Sequence, residues 1–367
     1  MIPAEQTLQE VLDAFDFGAP VESAVRYGQG HINDTFKVHT QPDNRRFILQ
    51  RMSAAAFKRP DQLMDNIIGV TEYLGRQIVS RGGDRAREAL KVLRPRSGES
   101  YYTDSRDGAW RVYHFVERTV CHQTADKPEL FAASGRAFGR FQLLLKDYPA
   151  DTLYETIPNF HNTEDRLARF KAAVRADKLG RGAECRPEID FVLAREADCS
   201  VALDAMRAGK LPLRVTHNDT KLNNVLMDAD TGEGVCIIDL DTVMPGLVIY
   251  DFGDSIRFGA NHCAEDETDL TKVNLDVDLF SIYTAAFLEG SGGSLTDDEI
   301  AYLPWGARLM TLECGIRFLA DYLEGDVYFH IARERHNLDR CRTQFKLVSD
   351  MEEHWRELEA IAGQYRT

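Results

Sequence analysis

Four polar residues stand at fixed intervals immediately before two short apolar runs. They occur in the segment His217-Asn-Asp219-Thr-Lys221-Leu-Asn-Asn224. The apolar runs, residues 225–227 and 235–240, are separated by a turn-rich link at 228–234, a pattern typical of a β-hairpin. Four residue types at fixed spacing match by chance at about one site in 10⁵. This segment therefore constrains the fold and the chemistry of the chain more than any other feature.

The same residue types and spacing suit phosphoryl transfer. The pattern H-x-D-x-K-x-x-N is also found in the catalytic loops of protein kinases. In such a loop an aspartate accepts the proton of the acceptor hydroxyl, and an amide oxygen holds magnesium beside the phosphates. We predict Asp219 as the catalytic base, Lys221 as the cation near the transferred phosphate, and Asn224 as a ligand of both Mg²⁺ and the nucleotide. His217 is expected to bond to the backbone and hold the loop in shape.

A pair of carboxylates follows at the end of the second apolar run, in Ile237-Ile-Asp239-Leu-Asp241. A carboxylate that ends a buried strand can bind a hard cation that bridges phosphate oxygens. We therefore predict Asp239 as the principal magnesium ligand. Asp241 is either a second metal contact or a carboxylate that lies behind the metal site.

The letters Asp251-Phe-Gly253 spell the metal-binding motif of protein kinases, but they come 27 residues after Asn224 and end no strand that pairs with the catalytic loop. We interpret Asp251 and Asp254 as acidic residues that start a helix through 255–258, where they satisfy free backbone N–H groups. For Asp254, a position facing the acceptor is the alternative.

A glycine-bearing turn between two predicted strands lies near the N-terminus, in Gly28-Gln-Gly-His-Ile-Asn-Asp34. Glycine lets backbone N–H groups approach phosphates closely, so Gly28 and Gly30 are predicted nucleotide contacts. His31 and Asn33 carry hydrogen-bonding side chains and are predicted to contact the acceptor. The alternative is that this segment only shapes the turn.

The next strand, residues 46–52, stands where protein kinases carry the lysine that pairs with phosphates, and here that lysine is absent. Side chains alternate along a strand, so only one of Gln50 and Arg51 can face the nucleotide. The positive charge favours Arg51. Farther on, the backbone of the segment that contains Glu117 is expected to form the hinge and to bond the adenine.

A long predicted helix near the C-terminus, residues 305–323, carries Glu313, Arg317 and Asp321 at intervals of four. These three side chains should project along one stripe. Charged residues spaced in this way commonly form surface ion pairs. A substrate site is the other interpretation.

These residues together resemble the aminoglycoside phosphotransferase and choline kinase family, whose signature is H-x-D-x4-N followed by D-x-D. Within it the chain is most similar to the N-acetylhexosamine 1-kinases, through residues 28–36, 217–224 and 313–326. The resemblance implies a protein-kinase-like α+β fold with a small antiparallel-sheet N-terminal lobe and a larger, mostly helical C-terminal lobe. It also implies ATP and Mg²⁺ as cofactors, phosphorylation of the anomeric hydroxyl of an N-acetylhexosamine, and Arg317 and Tyr328 as substrate contacts.

Length and composition fit this interpretation. The 367 residues are enough for two lobes, which we place at 1–116 for nucleotide binding and 117–367 for catalysis and acceptor binding. A net charge of −15 argues against a nucleic-acid partner. Seven irregularly spaced cysteines, the lack of a leader pattern and the lack of a long apolar run predict a cytoplasmic protein without a membrane partner. Oligomeric state is not indicated.

Two alternatives remain open. A kinase of another small alcohol, such as choline, homoserine or an aminoglycoside, would share the catalytic loop, but a cationic acceptor calls for an acidic or aromatic cage. A non-catalytic nucleotide-binding module would explain the missing strand lysine. The presence of Asp219, Asn224 and Asp239 argues against that module.

Overall fold

The computed structural model describes residues 5–28, 32–124 and 127–366. Its N-terminal part is built on a six-stranded antiparallel sheet in the order β1-β2-β3-β6-β4, with β5 also paired to β6. The strands are β1 Val21–Arg26, β2 Asp34–Thr40, β3 Arg46–Arg51, β4 Val92–Leu93, β5 Tyr102–Thr103 and β6 Ala109–His114. The helices of this part are α1 Glu5–Asp13, α2 Pro60–Ser80 and α3 Arg85–Glu88.

Alternation along the central strands gives the sheet two apolar faces. One face packs against α1 and includes Phe36, Leu49 and Trp110. On the other face the buried apolar side of α2, including Ile67, belongs to a cluster that extends to Leu240 beyond the sheet. A single core therefore joins the N-terminal sheet to the loop that carries the paired carboxylates.

Two small sheets carry the catalytic segment. After β6 the chain forms β7 Thr119–Val120, which pairs with β9 Val225–Asp228 in the order β10-β9-β7, with β10 at Gly234–Ile237. The predicted hairpin is thus confirmed as β9 and β10. Strand β8, Arg214–Thr216, pairs with β11, Met244–Gly246, and leads directly into the catalytic loop.

The rest of the described chain is helical. The helices are α4 Pro128–Leu145, α5 Thr163–Ala176, α6 Arg186–Leu193, α7 Val201–Arg207, α8 Val248–Gly259, α9 Val277–Ser291, α10 Asp297–Ala301, α11 Leu303–Glu324, α12 His336–Glu353 and α13 Trp355–Gly363. Helices α8 and α11 meet backbone to backbone, since a Cβ atom at Gly253 would lie 2.1 Å from the carbonyl oxygen of Gly306. Among the described residues, no helix is long and apolar enough to span a bilayer.

The predicted fold class, an α+β two-lobed kinase-like architecture, is confirmed. One helix start was wrong, however, because α8 begins at Val248 and not near Ser255. Asp251 and Asp254 therefore lie inside α8, where they do not cap it. The apolar residues Val248 and Ile249 start the helix by burial in the core, and its N-cap residue makes no side-chain capping bond.

Candidate active site

Two aspartates of α8 hold the backbone of the catalytic loop. One carboxylate oxygen of Asp251 accepts the backbone N–H of His217 at 3.0 Å, and the other accepts that of Asn218 at 2.8 Å. Gln142 of α4 donates a third bond at 2.8 Å. Asp254, one turn on, accepts the backbone N–H of Thr220 at 3.0 Å. Both aspartates thus cap a neighbouring loop, which fixes its position on the helical lobe.

His217 performs the shaping role predicted for it. Its Nε2 donates to the carbonyl of Ile238 at 2.9 Å, and its Nδ1 accepts the backbone N–H of Asp219 at 3.3 Å. The ring is fully buried against Phe138 and Phe141. The imidazole therefore connects the catalytic loop to the end of the hairpin and is withdrawn from any ligand.

Three predicted residues meet at Asp219. The Nζ atom of Lys221 lies 2.7 Å from its Oδ1, and the amide nitrogen of Asn224 lies 3.1 Å from its Oδ2. Asn224 also donates to the carbonyl of Asp219 at 2.7 Å, so its amide oxygen is the atom left to face a cation. Burial acts against the charge of Lys221, but the nearby carboxylates of Asp219 and Asp254 raise the pKa of this lysine.

Asp239 follows two residues after β10 and adopts a left-handed backbone conformation, with φ 59°, a region that aspartate tolerates better than most residues. Its surface is exposed and, in the described part of the chain, it forms no ion pair. Although Asp239 is accessible to solvent, many protein atoms surround its carboxyl group. This partial burial, together with the charges of Asp241 and Asp219, raises the pKa of Asp239 to about 6. A cation at this position would relieve that excess of negative charge.

Asp241 has protein partners on both oxygens. Arg111 Nη1 lies 2.5 Å from its Oδ1, and the side-chain nitrogen of Asn33 donates to its Oδ2 at 2.7 Å. The amide oxygen of Asn33 in turn accepts the backbone N–H of Ser53 at 3.0 Å. Of the two roles left open for Asp241, the one behind the metal site fits these contacts. Asn33, which was expected to contact the acceptor, is occupied by Asp241 and Ser53.

The expectation for Arg51 fails for a geometric reason. Gln50 faces the carboxylate cluster, since its Oε1 accepts two bonds from Arg111. Arg51 therefore points to the opposite face of β3 and lies beside Asp104 and Gly108, in the turn before β6. There, against the effect of burial, hydrogen bonds from Trp110 and the turn and the charge of Arg51 lower the pKa of Asp104.

The remaining predicted nucleotide contacts have mixed positions. Gly28 is exposed after β1 with φ 77°, which a residue bearing a Cβ rarely adopts, and open space surrounds it. Gly30 and His31 fall outside the described residues. The side chain of Glu117 pairs with Arg46, whose guanidinium also covers the ring of Phe115 at 4.4 Å. Only the backbone of Glu117 is thus left to contact an adenine.

A histidine that sequence reasoning missed links the catalytic loop to α11. His161 Nδ1 lies 2.9 Å from a carboxylate oxygen of the buried Glu313, and its Nε2 lies 3.2 Å from the carbonyl of Asn218. Both partners are acceptors, so both bonds form together only in the imidazolium. Thr163 donates to the second oxygen of Glu313 at 2.7 Å. Glu313 is therefore a structural residue and not a free ligand group.

Asp321, the third charged residue of the predicted stripe, is also structural. Its carboxylate accepts the backbone N–H groups of residues 327–329 and the side chain of Asn337. It therefore orders the segment that carries the exposed Tyr328. Of the stripe, only Arg317 is left for a ligand.

Arg317 stands among aromatic rings beside a second arginine. Its guanidinium lies 5.9 Å from the ring centroids of Phe160 and Tyr328 and 5.3 Å from that of Phe329. Arg166 donates to the carbonyl of Phe160 at 2.8 Å, and burial and the charge of Arg317 lower its pKa. Within the described ranges neither arginine lies within 4 Å of a carboxylate oxygen. Among the described residues, this region beside the catalytic loop therefore has two cations without ion-pair partners.

The oxygen atoms of Asp239 and Asn224 fit a magnesium site in which phosphate oxygens provide some of the ligands. Mg²⁺ usually binds to one or two carboxylates, with water and substrate phosphates as its other ligands. Asp239 and the amide oxygen of Asn224 provide such a partial set. Residues 5–28, 32–124 and 127–366 contain no cluster of three or more His, Cys, Asp or Glu side chains that could hold a metal.

Fold and site together define a small-molecule phosphotransferase of the kinase-like type. Residues 23–274 match the model of the phosphotransferase enzyme family APH, and the chain belongs to that family. Among solved structures it is similar to an aminoglycoside phosphotransferase from Alicyclobacillus acidocaldarius, with 14% identity, 98% of this chain and 97% of that chain covered, and a TM-score of 0.60.

Two further structures extend the similarity to kinases of amino alcohols. An ethanolamine kinase from Plasmodium vivax is 13% identical, covers 88% of this chain and 81% of its own, and has a TM-score of 0.52. A choline kinase from Cryptosporidium parvum is 12% identical, with coverage of 94% and 92% and a TM-score of 0.52. At these identities the likeness concerns the fold.

Proposed function

We propose that this protein is an ATP- and Mg²⁺-dependent kinase that phosphorylates the anomeric hydroxyl of an N-acetylhexosamine and releases the sugar 1-phosphate. The observation that carries the phosphotransfer part is the meeting of Lys221 and Asn224 at the carboxylate of Asp219, beside the unpaired Asp239. This is the set of groups that phosphoryl transfer to an alcohol requires.

Each of these side chains has a distinct role in the proposal. Asp219 orients the acceptor hydroxyl and takes its proton. Lys221, already held at Asp219, offsets charge on the transferred phosphoryl group. Asp239 and Asn224 would hold Mg²⁺, which would offset the negative charge of the phosphates. Gly28 and the backbone of Glu117 contact the nucleotide, and the same proposal extends to Gly30.

The acceptor side favours a neutral or anionic substrate. The solved structures named above are those of kinases for aminoglycosides, ethanolamine and choline, and such cationic acceptors are favoured by acidic residues or open aromatic faces. Here the aromatic rings of Phe160 and Phe329 already surround Arg317, and Arg166 adds a second positive charge. In the described part of the chain these two cations have no carboxylate within 4 Å, and they would repel a cationic acceptor.

An N-acetylated sugar satisfies these features. A guanidinium presents five N–H donors in a fixed plane, which suits the several oxygens of a hexosamine. Arg317 and the exposed ring of Tyr328 flank the same space. Arg317 lies in segment 313–326, through which the chain resembles N-acetylhexosamine 1-kinases, and Tyr328 follows two residues after that segment. His31 is included in the proposed acceptor site on that resemblance.

The test is an ATP-consumption assay with a panel of acceptors. The panel contains N-acetylglucosamine, N-acetylgalactosamine, glucose, galactose, choline and kanamycin, and each is tested with the wild type and with Asp219→Asn as the control for contaminating kinases. We expect ATP consumption with an N-acetylhexosamine and a product without reducing-end reactivity, because the anomeric oxygen would carry the phosphate. Turnover of choline or kanamycin without turnover of either N-acetylhexosamine would contradict the proposal. The absence of turnover with every acceptor would favour a non-catalytic module.

A further inference from the structure

The missing strand lysine has a counterpart one strand away. Gln50 of β3 and Arg111 of β6 are register partners in the antiparallel sheet. Both Nε and Nη2 of Arg111 donate to Gln50 Oε1, at 3.0 and 2.8 Å, and Gln50 Nε2 donates to Thr35 at 3.1 Å. A lysine at position 50 has no acceptor and would repel the guanidinium. The pair therefore replaces a lysine on β3 by an arginine on β6.

Arg111 is aimed at the carboxylate cluster. It is 1% exposed, and its Nη1 lies 2.5 Å from Asp241 Oδ1. Asp241 receives a second bond from Asn33, which is anchored on Ser53. Since Asp239 is two residues before Asp241 on a 3₁₀ turn, the position of Asp239 depends on where Asp241 is held.

The charges of the cluster explain what this contact does. Three carboxylates, those of Asp219, Asp239 and Asp241, are neighbours, and Lys221 and Arg111 are their cations. Lys221 pairs with Asp219 and Arg111 with Asp241. Asp239 is thus left as the carboxylate available to a divalent cation. Without Arg111, Asp241 would keep its bond from Asn33 but would be a buried carboxylate without a compensating charge.

We propose that Arg111, fixed by Gln50, is a positioning residue that replaces the strand lysine: it holds Asp241 and so keeps Asp239 placed and free for a nucleotide-bound divalent cation. The inference rests on the proposed ATP- and Mg²⁺-dependent activity. In this inference the positive charge near the nucleotide site comes from Arg111 of β6. Arg51 of β3 has only a structural contact, on the other face of the sheet.

The experiment measures ADP binding by isothermal titration calorimetry, once with MgCl₂ and once with EDTA. The variants are Arg111→Gln, the double variant Arg111→Gln with Gln50→Lys, and the control Arg308→Gln. Arg308 is a partly buried arginine, 13% exposed, that pairs with Asp198 and Glu352 away from the catalytic loop. Thermal unfolding of each variant reports whether it is folded.

We expect Arg111→Gln to weaken Mg-ADP binding about tenfold or more, with little change in EDTA. The double variant, which returns a cation to β3, should recover a substantial part of that loss. Arg308→Gln should bind Mg-ADP as the wild type does, even if it unfolds at a lower temperature. Equal weakening with and without Mg²⁺, unchanged Mg-ADP binding in Arg111→Gln, or no recovery in a folded double variant would overturn the inference.

A second variant covers the case in which Arg111→Gln does not fold. Arg111→Met with Asp241→Asn removes both charges of the buried pair, a change that proteins often tolerate. We expect it to fold and to show the same Mg-dependent loss of ADP affinity, and wild-type affinity would overturn the inference. Wild-type protein that binds ADP equally with and without Mg²⁺ would instead refute the proposed function on which the inference depends.

Discussion

The carboxylate of Asp251 accepts the backbone N–H of Asn218 at 2.8 Å, although the two residues are 33 positions apart. With the parallel bond to His217, this contact fixes the catalytic loop on α8. The letters that resemble a metal motif therefore serve a different purpose. The residue is a buried anchor of the loop backbone, and the metal role is the one proposed for Asp239.

Asp251→Asn should destabilise the protein and lower its activity together. An amide offers one acceptor oxygen, so its NH₂ group would face a backbone N–H or the amide of Gln142. An unsatisfied buried donor costs about 1–3 kcal/mol. Urea unfolding and turnover measure the two effects. The control is Asp204→Asn, a surface aspartate of α7 that pairs with Arg207, and equal stability of the two variants would contradict the anchoring role.

Asp219→Asn should remove most turnover and leave nucleotide binding nearly intact. The carboxylate is the proposed proton acceptor, and positioned general bases contribute roughly 10²–10⁴-fold to rate. It is not a proposed ligand of the nucleotide, so the Kd of ATP should stay within a few-fold of the wild-type value. Rate and affinity are measured by the coupled assay and by calorimetry. Turnover close to that of the wild type would eliminate Asp219 as the base.

Asp239→Asn should shift the magnesium dependence of the reaction. The variant keeps the size of the side chain but removes the carboxylate that, among the residues the structure describes, forms no ion pair. We expect the Mg²⁺ concentration for half-maximal turnover to rise about tenfold or more. Asp230→Asn is the matched control, because Asp230 lies in the hairpin link and pairs with the exposed Arg118. An unchanged magnesium dependence in Asp239→Asn would mean that the cation is held elsewhere.

Arg317→Ala should raise the KM of the acceptor about tenfold or more and leave the KM of ATP unchanged. The guanidinium forms no carboxylate ion pair in the described structure, so its loss should cost little stability. Arg317→Lys keeps the charge but not the planar set of donors, so its KM for the acceptor should lie between those of the wild type and Arg317→Ala. Arg169→Ala, an exposed arginine of α5 that pairs with Asp165, is the control. Equal changes in both KM values would argue against an acceptor contact.

Local spacing predicted much of the site. The interval from His217 to Asn224 and the hairpin that follows are set by nearby residues, so the hairpin and the proximity of Lys221 and Asn224 to Asp219 could be predicted from the sequence. The bounds of the 21-residue helix α2, Pro60–Ser80, also follow from local signals, because a proline starts the helix and glycines follow its end.

Contacts between distant segments could not be predicted in this way. Asn33 and Asp241 are 208 positions apart, and His161 and Glu313 are 152 apart. His161 lies in a loop without a motif, so no local pattern marked it. Arg111 did leave a signal in the sequence, since it is a charged residue within the largely apolar strand Ala109–His114. The structure shows that it is 1% exposed.

The choice between Gln50 and Arg51 shows how a sound rule led to a wrong residue. Alternation correctly implied that only one of the two could face the nucleotide. Charge then favoured Arg51, on the assumption that the cation had to come from β3. The neighbouring strand instead places Arg111 on this face of the sheet, and the hydrogen-bond acceptor at position 50 holds it there.

The direct contact between Gly253 and Gly306 limits how this enzyme can be recombined with its relatives. At each position a methyl group would lie within about 2 Å of backbone on the other helix, 2.1 Å from Gly306 O in one case and 2.2 Å from Ile249 O in the other. A chimera that takes the segment with Arg317 from another parent must therefore inherit a glycine on both sides of the junction. Otherwise the helix that carries Asp251 is displaced, and an intact set of catalytic side chains is assembled in the wrong place.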